Sequence, residues 1–223
     1  MSGQNEMLQD IEREVEFTRT LIGKRSLDPR VMAAMGAVPR RLFVPMELQP
    51  LAYQNGPLPI GHGQTISQPY IVALMTDLLE PQPEDVILEV GTGSGYQAAI
   101  LATLVRQVYS MEIVAPLSDR ALRLLSENGY SNVECKVGDG HFGWPEHAPY
   151  DGIIVTAAAR EIPPLLIEQL KPGGCLVIPV GPPSLPQELM VAKKNRNGRI
   201  STRRVLGVAF VPLTGGHNPT GEE

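Results

Sequence analysis

Three alternating glycines, Gly91, Gly93 and Gly95, follow a short apolar run that contains Glu89. Residues without a Cβ atom permit a tight turn and let a bound molecule contact main-chain amides at the start of a helix. Tyr96 stands where the dinucleotide-binding pattern GxGxxG has its third glycine, so the loop has the different pattern GxGxG. Such a turn can also be purely structural, and its ligand has to be inferred from other residues.

Two further acidic residues follow the next two predicted strands. Glu112 lies about twenty positions after Gly91, where a carboxylate can accept hydrogen bonds from both hydroxyls of an adenosine ribose. Asp139 lies between Gly138 and Gly140, a composition typical of turns, and could accept a hydrogen bond from an adenine amino group. Each feature alone also fits a surface carboxylate or a simple turn. Their coincidence at three successive strand ends favours a site for an adenosine-containing cofactor.

Strand-like and helix-like segments alternate through the middle of the chain, after a helix predicted to start at Pro69. They are residues 86–90, 96–105, 107–111, 117–128, 133–137, 152–156, 163–170 and 175–180. The alternation predicts a mostly parallel, doubly wound α/β sheet with helices on both faces. The short apolar strands at 86–88 and 153–155 lack polar alternation, so both of their faces should be buried. In such sheets ligands bind beyond the carboxyl ends of the strands, where the glycine loop should lie.

The end of the predicted sheet has a different pattern. Two strand-like runs, residues 188–195 and 200–212, flank Asn197-Gly198, a pair suited to the positive φ angles of a tight hairpin turn. We therefore predict that the sheet ends in an antiparallel hairpin. This Rossmann-like arrangement differs from the all-parallel sheet of dinucleotide dehydrogenases.

The N-terminal part of the chain is predicted to be helical. Apolar residues recur at helical spacing over roughly the first two dozen residues, which predicts an amphipathic helix. Asp28 followed by Pro29 predicts the capped start of a second, short helix. Residues 45–63 are rich in proline and glycine and should form a loop. The expected divisions are a helical extension and loop packed on the core at 1–63, the core itself at 64–214 and a flexible tail at 215–223.

The composition is that of a globular protein, with 43% hydrophobic and 19% charged residues. The polar N-terminus and the lack of an apolar run near the roughly 20 residues of a spanning helix argue against secretion and membrane insertion. The net charge of -5 argues against nucleic-acid binding. The two cysteines, Cys135 and Cys175, lack the spacing of a metal or redox pair, so we expect no metal site and a reducing cytoplasm.

Several motifs resemble those of one enzyme family. The segment ahead of the predicted core reads GQTISQPY at 63–70. Further matches are EVGTGSGY at 89–96, VGDG at 137–140, YDGIIVTAA at 150–158, LKPGG at 170–174 and FVPL at 210–213. Over nearly the whole chain, these motifs resemble the protein-L-isoaspartate O-methyltransferase family. GQTISQPY, IIVTAA and FVPL are specific to it, whereas GxGxG and LKPGG occur across many S-adenosylmethionine-dependent methyltransferases.

The resemblance implies a Rossmann-like class I methyltransferase fold, with residues 64–214 as an S-adenosylmethionine-dependent methyltransferase core. It also implies the activity of a protein carboxyl methyltransferase that starts repair of damaged proteins and peptides. The methyl group of S-adenosyl-L-methionine goes to the free carboxylate of an L-isoaspartyl residue, which leaves S-adenosyl-L-homocysteine and leads to a succinimide. By resemblance, Ser67 is the catalytic serine, and Thr65, Ile66, Ser67 and Val211 contact the substrate. The implied cofactor contacts are Thr65, Ile66, Ser67, Tyr70, Glu89, Gly91, Gly93, Ser94, Gly95, Glu112, Asp139, Gly140 and Thr214. We expect a monomer.

The sequence departs from the family pattern at two places. Ile113 stands where bacterial members often carry arginine, and the residues after Leu213 are idiosyncratic.

The four histidines show no spacing for a catalytic triad. A free carboxylate has a pKa of about 4, so it is already ionised and needs no general base. The alternatives are an NAD-linked oxidoreductase, a methyltransferase for a small molecule or RNA, and a non-catalytic binding protein on the same fold.

Overall fold

The part of the chain that the computed structural model describes, residues 2–182 and 185–215, forms six α-helices and nine β-strands. The helices are α1 Ser2–Ile22, α2 Pro29–Ala37, α3 Pro69–Leu79, α4 Tyr96–Ala102, α5 Ala115–Glu127 and α6 Pro164–Glu168. The strands are β1 Leu58–Gly61, β2 Gln64–Ile66, β3 Val86–Val90, β4 Gln107–Glu112, β5 Val133–Val137, β6 Tyr150–Val155, β7 Leu170–Val180, β8 Gln187–Lys194 and β9 Ile200–Val208. Of the predicted tail at 215–223, only Gly215 lies within the described residues.

The two N-terminal helices form as the sequence predicts. Met7, Ile11 and Val15 recur on one face of α1, and all three side chains are buried against the rest of the chain. Asp28 caps α2 by accepting a hydrogen bond from the backbone N–H of Arg30 at 2.8 Å. Among the described residues no helix is both long and apolar enough to cross a membrane.

Residues 45–63, predicted to be an irregular loop, contain regular structure. A 3₁₀ turn at Met46–Leu51 is followed by an antiparallel hairpin of β1 and β2. The loop prediction was wrong here because strands of four and three residues are too short to show an alternating pattern. Ile60 of β1 and Ile66 of β2 are both buried, so the hairpin packs onto the core rather than extending into solvent.

The main sheet has seven strands in the order β5-β4-β3-β6-β7-β8-β9. The first five strands in this order, β5, β4, β3, β6 and β7, are parallel. The chain runs outward from β3 to β5 and then crosses back to β6, on the other side of β3. This reversal creates the switch in strand order at which open α/β sheets bind their ligands. The loop after β3 therefore lies at the predicted edge, and the sheet is that of a Rossmann-like class I methyltransferase.

The central strands are covered on both faces, as their unbroken apolar sequences predict. Ile87 and Ile154 belong to an apolar cluster that includes residues of α1, α3 and α4. The alternate residues Leu88 and Ile153 belong to a second cluster on the opposite face, with Trp144. All four strand residues are completely buried, so β3 and β6 form a rigid support for the loops at their carboxyl ends.

The antiparallel hairpin of β8 and β9 is confirmed, but its turn differs from the one predicted. Gly198 has a φ of +79° and its N–H donates to the carbonyl of Asn195 at 2.9 Å, whereas Asn197 does not adopt a positive φ. The Asn195 side chain accepts hydrogen bonds from the N–H groups of Asn197 and Arg199. This side-chain acceptor stabilises a wider turn than the two-residue turn that Asn197-Gly198 suggests.

The predicted last strand, residues 200–212, was too long. β9 ends at Val208, which pairs with Gln187, the first residue of β8, so no partner strand remains beyond it. The chain instead crosses to the segment after β6, where the Ala158 N–H donates to the carbonyl of Val211 at 2.8 Å. This crossing brings Val211 to the same edge of the sheet as the glycine loop.

Candidate active site

The glycine loop has a backbone that other residues would adopt only with strain. Gly91, Gly93 and Gly95 have φ angles of +100°, +52° and +87°. A Cβ atom on Gly91 would overlap the hydroxyl oxygen of Thr156, which follows β6. The N–H groups of Gly91 and Thr92 both donate to the carbonyl of Met111, at 2.8 and 3.1 Å, and so tie the loop to β4.

Glu112 holds the glycine loop from the end of β4. One of its carboxylate oxygens accepts a hydrogen bond from the Gly93 N–H at 2.7 Å, and the other accepts from the Val114 N–H at 2.9 Å. The side chain is buried but borders the open cleft beside the loop. Each carboxylate oxygen can accept a further hydrogen bond, so Glu112 can also bind a ligand.

Glu89 lies beneath the loop rather than in the cleft. It is completely buried and accepts a hydrogen bond from the Ser110 hydroxyl, which lies 2.6 Å from the hydroxyl of Thr92. Burial raises the pKa of Glu89 to about 8; the nearby Glu112 carboxylate adds to the rise and the Ser110 hydroxyl opposes it. At neutral pH this carboxyl group is therefore mostly protonated in the folded protein.

Asp139 caps the short 3₁₀ turn that follows β5. Its carboxylate accepts hydrogen bonds from the backbone N–H of His141 at 2.9 Å and from a ring nitrogen of the same residue at 3.0 Å. Gly215 passes close by, since a Cβ atom on it would lie 2.6 Å from the Asp139 carboxylate. Asp139 itself does not line the cleft, but Gly138 and Gly140 on either side of it do.

A cleft of about 840 Å³, called here the cofactor cleft, opens beside the glycine loop. The predicted site residues that line it are Thr65, Ile66, Ser67, Gly91, Gly93, Ser94, Glu112, Gly140, Val211 and Thr214. Four predicted residues, Tyr70, Glu89, Gly95 and Asp139, lie outside its lining. The Tyr70 hydroxyl instead shares a hydrogen bond with Thr18 of α1 at 2.5 Å.

A second cleft of about 1020 Å³, called here the acceptor cleft, adjoins the first. Apart from the residues that it shares with the cofactor cleft, its walls are largely apolar and include Phe210. The two clefts share four residues, Thr65, Ser67, Thr156 and Val211. A ligand in one cleft can therefore contact a ligand in the other only across this junction.

Thr156 is the junction residue that the sequence analysis did not select. Its hydroxyl donates to the carbonyl of Gly91 at 2.6 Å and lies 3.1 Å from that of Val90, so it fastens the glycine loop to the end of β6. The signal was present, because Thr156 ends a predicted central strand next to the strand that carries the glycines. Ile113 and Val114, which follow Glu112, also line the cofactor cleft and were not predicted as contacts.

Groups for general acid–base catalysis lie away from the junction. The three histidines among the described residues, His62, His141 and His147, line neither cleft. His147 stacks on Tyr109 with ring centroids 3.9 Å apart. The described part of the chain also holds no cluster of His, Cys, Asp and Glu side chains that could bind a metal ion. The junction thus offers hydroxyl and backbone groups that can orient a substrate.

Comparison with known proteins identifies relatives over most of the chain. The family profile described as protein-L-isoaspartate(D-aspartate) O-methyltransferase matches residues 12–218. A protein-L-isoaspartate O-methyltransferase 2 from a Polaromonas species is 61% identical over 209 residues, which are 94% of this chain and 99% of the relative. The protein of the same name from Nitrosococcus oceani is 61% identical over 217 residues, 97% of this chain and 99% of the relative.

Solved structures agree with these sequence relatives. One, a protein-L-isoaspartate O-methyltransferase, superposes with a TM-score of 0.81 at 25% identity, over 95% of this chain and 66% of the other. Another, described as a protein of this kind from Plasmodium falciparum in complex with S-adenosyl-L-homocysteine, has a TM-score of 0.75 at 25% identity, over 92% and 97% of the two chains. The chain therefore belongs to the protein-L-isoaspartate (D-aspartate) O-methyltransferase family.

Proposed function

We propose that this protein methylates the free carboxylate of L-isoaspartyl residues in damaged proteins and peptides, with S-adenosyl-L-methionine as the methyl donor. The ester then closes to a succinimide, because the neighbouring backbone nitrogen displaces methanol more readily than it displaces hydroxide. The observation that carries the proposal is the meeting of two clefts at Thr65, Ser67, Thr156 and Val211. One cleft has the features of a nucleoside site, and the other is open to a polypeptide.

The residues of the cofactor cleft fit S-adenosylmethionine. Gly91 and Gly140 line the cleft with backbone alone, and Thr156 and Val90 occupy the space that a Cβ atom on each would need. Both oxygens of Glu112 already hold loop amides and can accept the two ribose hydroxyls in addition. Asp139 lies between Gly138 and Gly140, which line the cleft, and is the proposed acceptor of a hydrogen bond from the adenine amino group.

We propose cofactor contacts for the other predicted residues as well. Gly93 and Ser94 of the glycine loop would pack around the cofactor's amino-acid part. The remaining proposed direct contacts are Thr65, Ile66, Ser67 and Thr214. For Glu89, Gly95 and Tyr70, which lie outside the cleft lining, the proposed contribution is through the loop and α3 rather than direct.

The reaction needs alignment more than acid–base chemistry. When bound, S-adenosylmethionine supplies an electrophilic methyl group on a sulfonium. The acceptor carboxylate has a pKa of about 4 and is ionised at neutral pH, so no group has to remove a proton. The opposite charges disappear as the methyl moves, and water, which stabilises the separated charges, raises the barrier. The segment Thr65 to Ser67 with Val211 would orient the carboxylate and exclude water from the junction.

The proposal also covers the localisation, the oligomeric state and the partners of the protein. The cytoplasm is proposed because Cys135 and Cys175 are both free thiols, and burial raises their pKa values to about 12. A monomer is proposed because residues of one chain line both clefts. The negative net charge supports the absence of a nucleic-acid partner. The proposed division of the chain remains 1–63, 64–214 and 215–223.

An isomer-specific peptide assay tests the proposal. Two synthetic peptides that differ only in one L-isoaspartyl or normal L-aspartyl linkage are incubated with the enzyme and radiolabelled S-adenosylmethionine. Base-labile label should appear in the isoaspartyl peptide and not in its twin. Label in both peptides, or in neither, would contradict the proposal. Thermal stabilisation by S-adenosylhomocysteine but not by NAD would separate it from an oxidoreductase.

The role of Ser67 is tested by its replacement with alanine. We expect Ser67→Ala to lower kcat/KM for the isoaspartyl peptide by about 10- to 100-fold, the range for a hydrogen bond to a charged group. Ser201, which is exposed on β9, provides a control Ser→Ala variant that should keep full activity. Unchanged turnover and unchanged peptide affinity in Ser67→Ala would show that the hydroxyl does not orient the substrate.

A further inference from the structure

Arg40 is a buried cation without a carboxylate partner among the described residues. Its side chain is 0% exposed, at the start of a 3₁₀ turn that ends at Phe43, and the ion pairs of the described residues do not include it. Burial lowers the pKa of Arg40 to about 10, so it stays protonated at neutral pH. A buried charge is costly unless dense hydrogen bonding compensates for it, so the contacts of Arg40 are informative.

The hydrogen bonds of Arg40 all reach one segment of the chain, residues 52–67. The Arg40 Nε donates to the carbonyl of Ala52 at 2.8 Å, and Nη2 donates to the carbonyl of Ser67 at 2.7 Å. A longer contact of 3.4 Å joins Nη2 to the carbonyl of Gly56. These carbonyls bracket the hairpin of β1 and β2. One guanidinium therefore fastens both ends of the segment that carries Thr65 and Ser67 to the junction of the clefts.

The same guanidinium also contacts the cofactor side. Its central carbon lies 5.0 Å from the centre of the Tyr96 ring, within the range of a cation–π interaction. Tyr96 lines the cofactor cleft and is the first residue of α4, directly after Gly95 of the glycine loop. The buried Arg40 side chain thus contacts both the backbone of Ser67, at the junction of the clefts, and Tyr96, the first residue of α4.

We propose that Arg40 is a positioning residue for methyl transfer. It fixes the position of Ser67, and with it that of the acceptor carboxylate, relative to the glycine loop. The inference rests on the placement of the acceptor at Ser67 proposed above. Arginine suits this role because its planar fork donates in several fixed directions at once, whereas a lysine ammonium cannot reach Ala52 and Ser67 with the same geometry. The positive charge also lies one hydrogen bond from the Ser67 backbone.

Arg40→Lys is the informative variant, because it keeps the charge and removes the fork. We expect it to lower kcat/KM for the isoaspartyl peptide at least about tenfold, since small errors in alignment have large effects on rate. The dissociation constant of S-adenosylhomocysteine should change less than about threefold, because Arg40 reaches the cofactor cleft only indirectly, through Tyr96 and the Ser67 carbonyl, and makes no contact with Glu112 or the glycines of the loop. Arg40→Met, which lacks both charge and fork, should lose more activity than Arg40→Lys.

Lys24→Met is the matched control for a loss of stability alone. Lys24 pairs with the buried carboxylate of Asp77, and both residues lie outside the two clefts. The variant should melt at a lower temperature and keep the peptide kcat/KM of the parent when assayed well below its melting temperature. All variants are compared by thermal melting, peptide kinetics and S-adenosylhomocysteine binding.

Three results would overturn the inference. The first is an Arg40→Lys enzyme that keeps kcat/KM within about twofold of the parent. The second is a loss that Lys24→Met reproduces at an equal shift in melting temperature. The third is a loss that falls on S-adenosylhomocysteine binding while peptide kinetics are preserved. If Arg40→Met does not fold, Arg40→Lys still decides the matter. Inactivity of the parent enzyme on isoaspartyl peptide would instead contradict the proposed function, independently of Arg40.

Discussion

Among the glycines of the cofactor loop, Gly91 has the least room for a side chain. A Cβ atom would overlap the Thr156 hydroxyl, which donates to the Gly91 carbonyl at 2.6 Å, so relief of the overlap would break that hydrogen bond. Gly129, just after α5, has a similar φ of +82° but open space around it. The two glycines therefore separate the cost of a strained backbone from the cost of steric overlap at the junction of the clefts.

A pair of glycine-to-alanine variants tests this difference. Gly129→Ala should lower the free energy of unfolding by about 1–2 kcal/mol, the cost of a left-handed alanine, and leave cofactor binding unchanged. Gly91→Ala should be destabilised further and should bind S-adenosylhomocysteine at least about tenfold more weakly, because Thr156 and the loop must move apart. Urea unfolding and calorimetric titration measure the two quantities. Equal effects of the two substitutions would show that the Thr156 contact is unimportant.

At the level of elements, the parallel strands were predictable and the small hairpin was not. Strands such as β3 and β6 are buried on both faces, so their sequences are continuous apolar runs that stand out from their surroundings. The hairpin of β1 and β2 is held by contacts that are remote in sequence, such as the hydrogen bond from Arg120 of α5 to the Ile60 carbonyl at 2.9 Å. No local sequence pattern indicates such a contact.

The candidate site was predictable to a similar extent. Glu112 could be found because glycine loops and acidic strand ends have a fixed order along the chain. Thr156 could have been found from its position at the end of a predicted central strand, whereas Arg40 could not, since an isolated arginine has no special spacing. Their roles depend on which distant carbonyl each side chain reaches, Gly91 for the first and Ser67 for the second. That information exists only in the folded chain.

The hairpin of β1 and β2 covers the glycine loop, and Arg120 should control how tightly. Ile60 lies 3.5 Å from the position of a Cβ atom on Gly93, and Arg120 holds the Ile60 carbonyl from α5. We expect Arg120→Met to weaken S-adenosylhomocysteine binding about three- to tenfold, which is less than the full effect of a hydrogen bond from a charged donor, because Arg120 acts on the cleft only through the hairpin. Arg123, whose side chain donates only to the Asp119 carbonyl of its own helix, is the matched control.

Calorimetric titration of the two arginine variants gives the result directly. Arg123→Met should bind S-adenosylhomocysteine as the parent does, because its loss leaves the hairpin attached. If Arg120→Met also binds normally, the hairpin is held by the packing of Ile60 and Ile66 alone, and the hydrogen bond to Ile60 contributes nothing to the cleft.

For the molecule as a whole, Glu89 couples stability to pH. It lies at the centre of the sheet, completely buried, and burial raises its pKa from 4.5 to about 8. Between these two values the folded chain keeps a proton on Glu89 that the unfolded chain has released. A rise in pH through this range therefore favours the unfolded state, and the contribution of Glu89 to stability is present below about pH 4.5 and lost as the pH passes 8.

Glu89→Gln removes this titration and keeps the size of the side chain. The free energy of unfolding of the variant, relative to that of the parent, should rise by a few kcal/mol between pH 5 and pH 8.5. The reason is that the unfolded parent releases a proton that the folded parent keeps, whereas the glutamine has no such proton. Urea unfolding at several pH values measures the difference, and Glu127→Gln at the exposed end of α5 is the matched substitution. A difference between Glu89→Gln and the parent that stays constant with pH would mean that Glu89 is ionised in the folded protein. The Ser110 hydroxyl would then stabilise a buried carboxylate rather than a protonated acid.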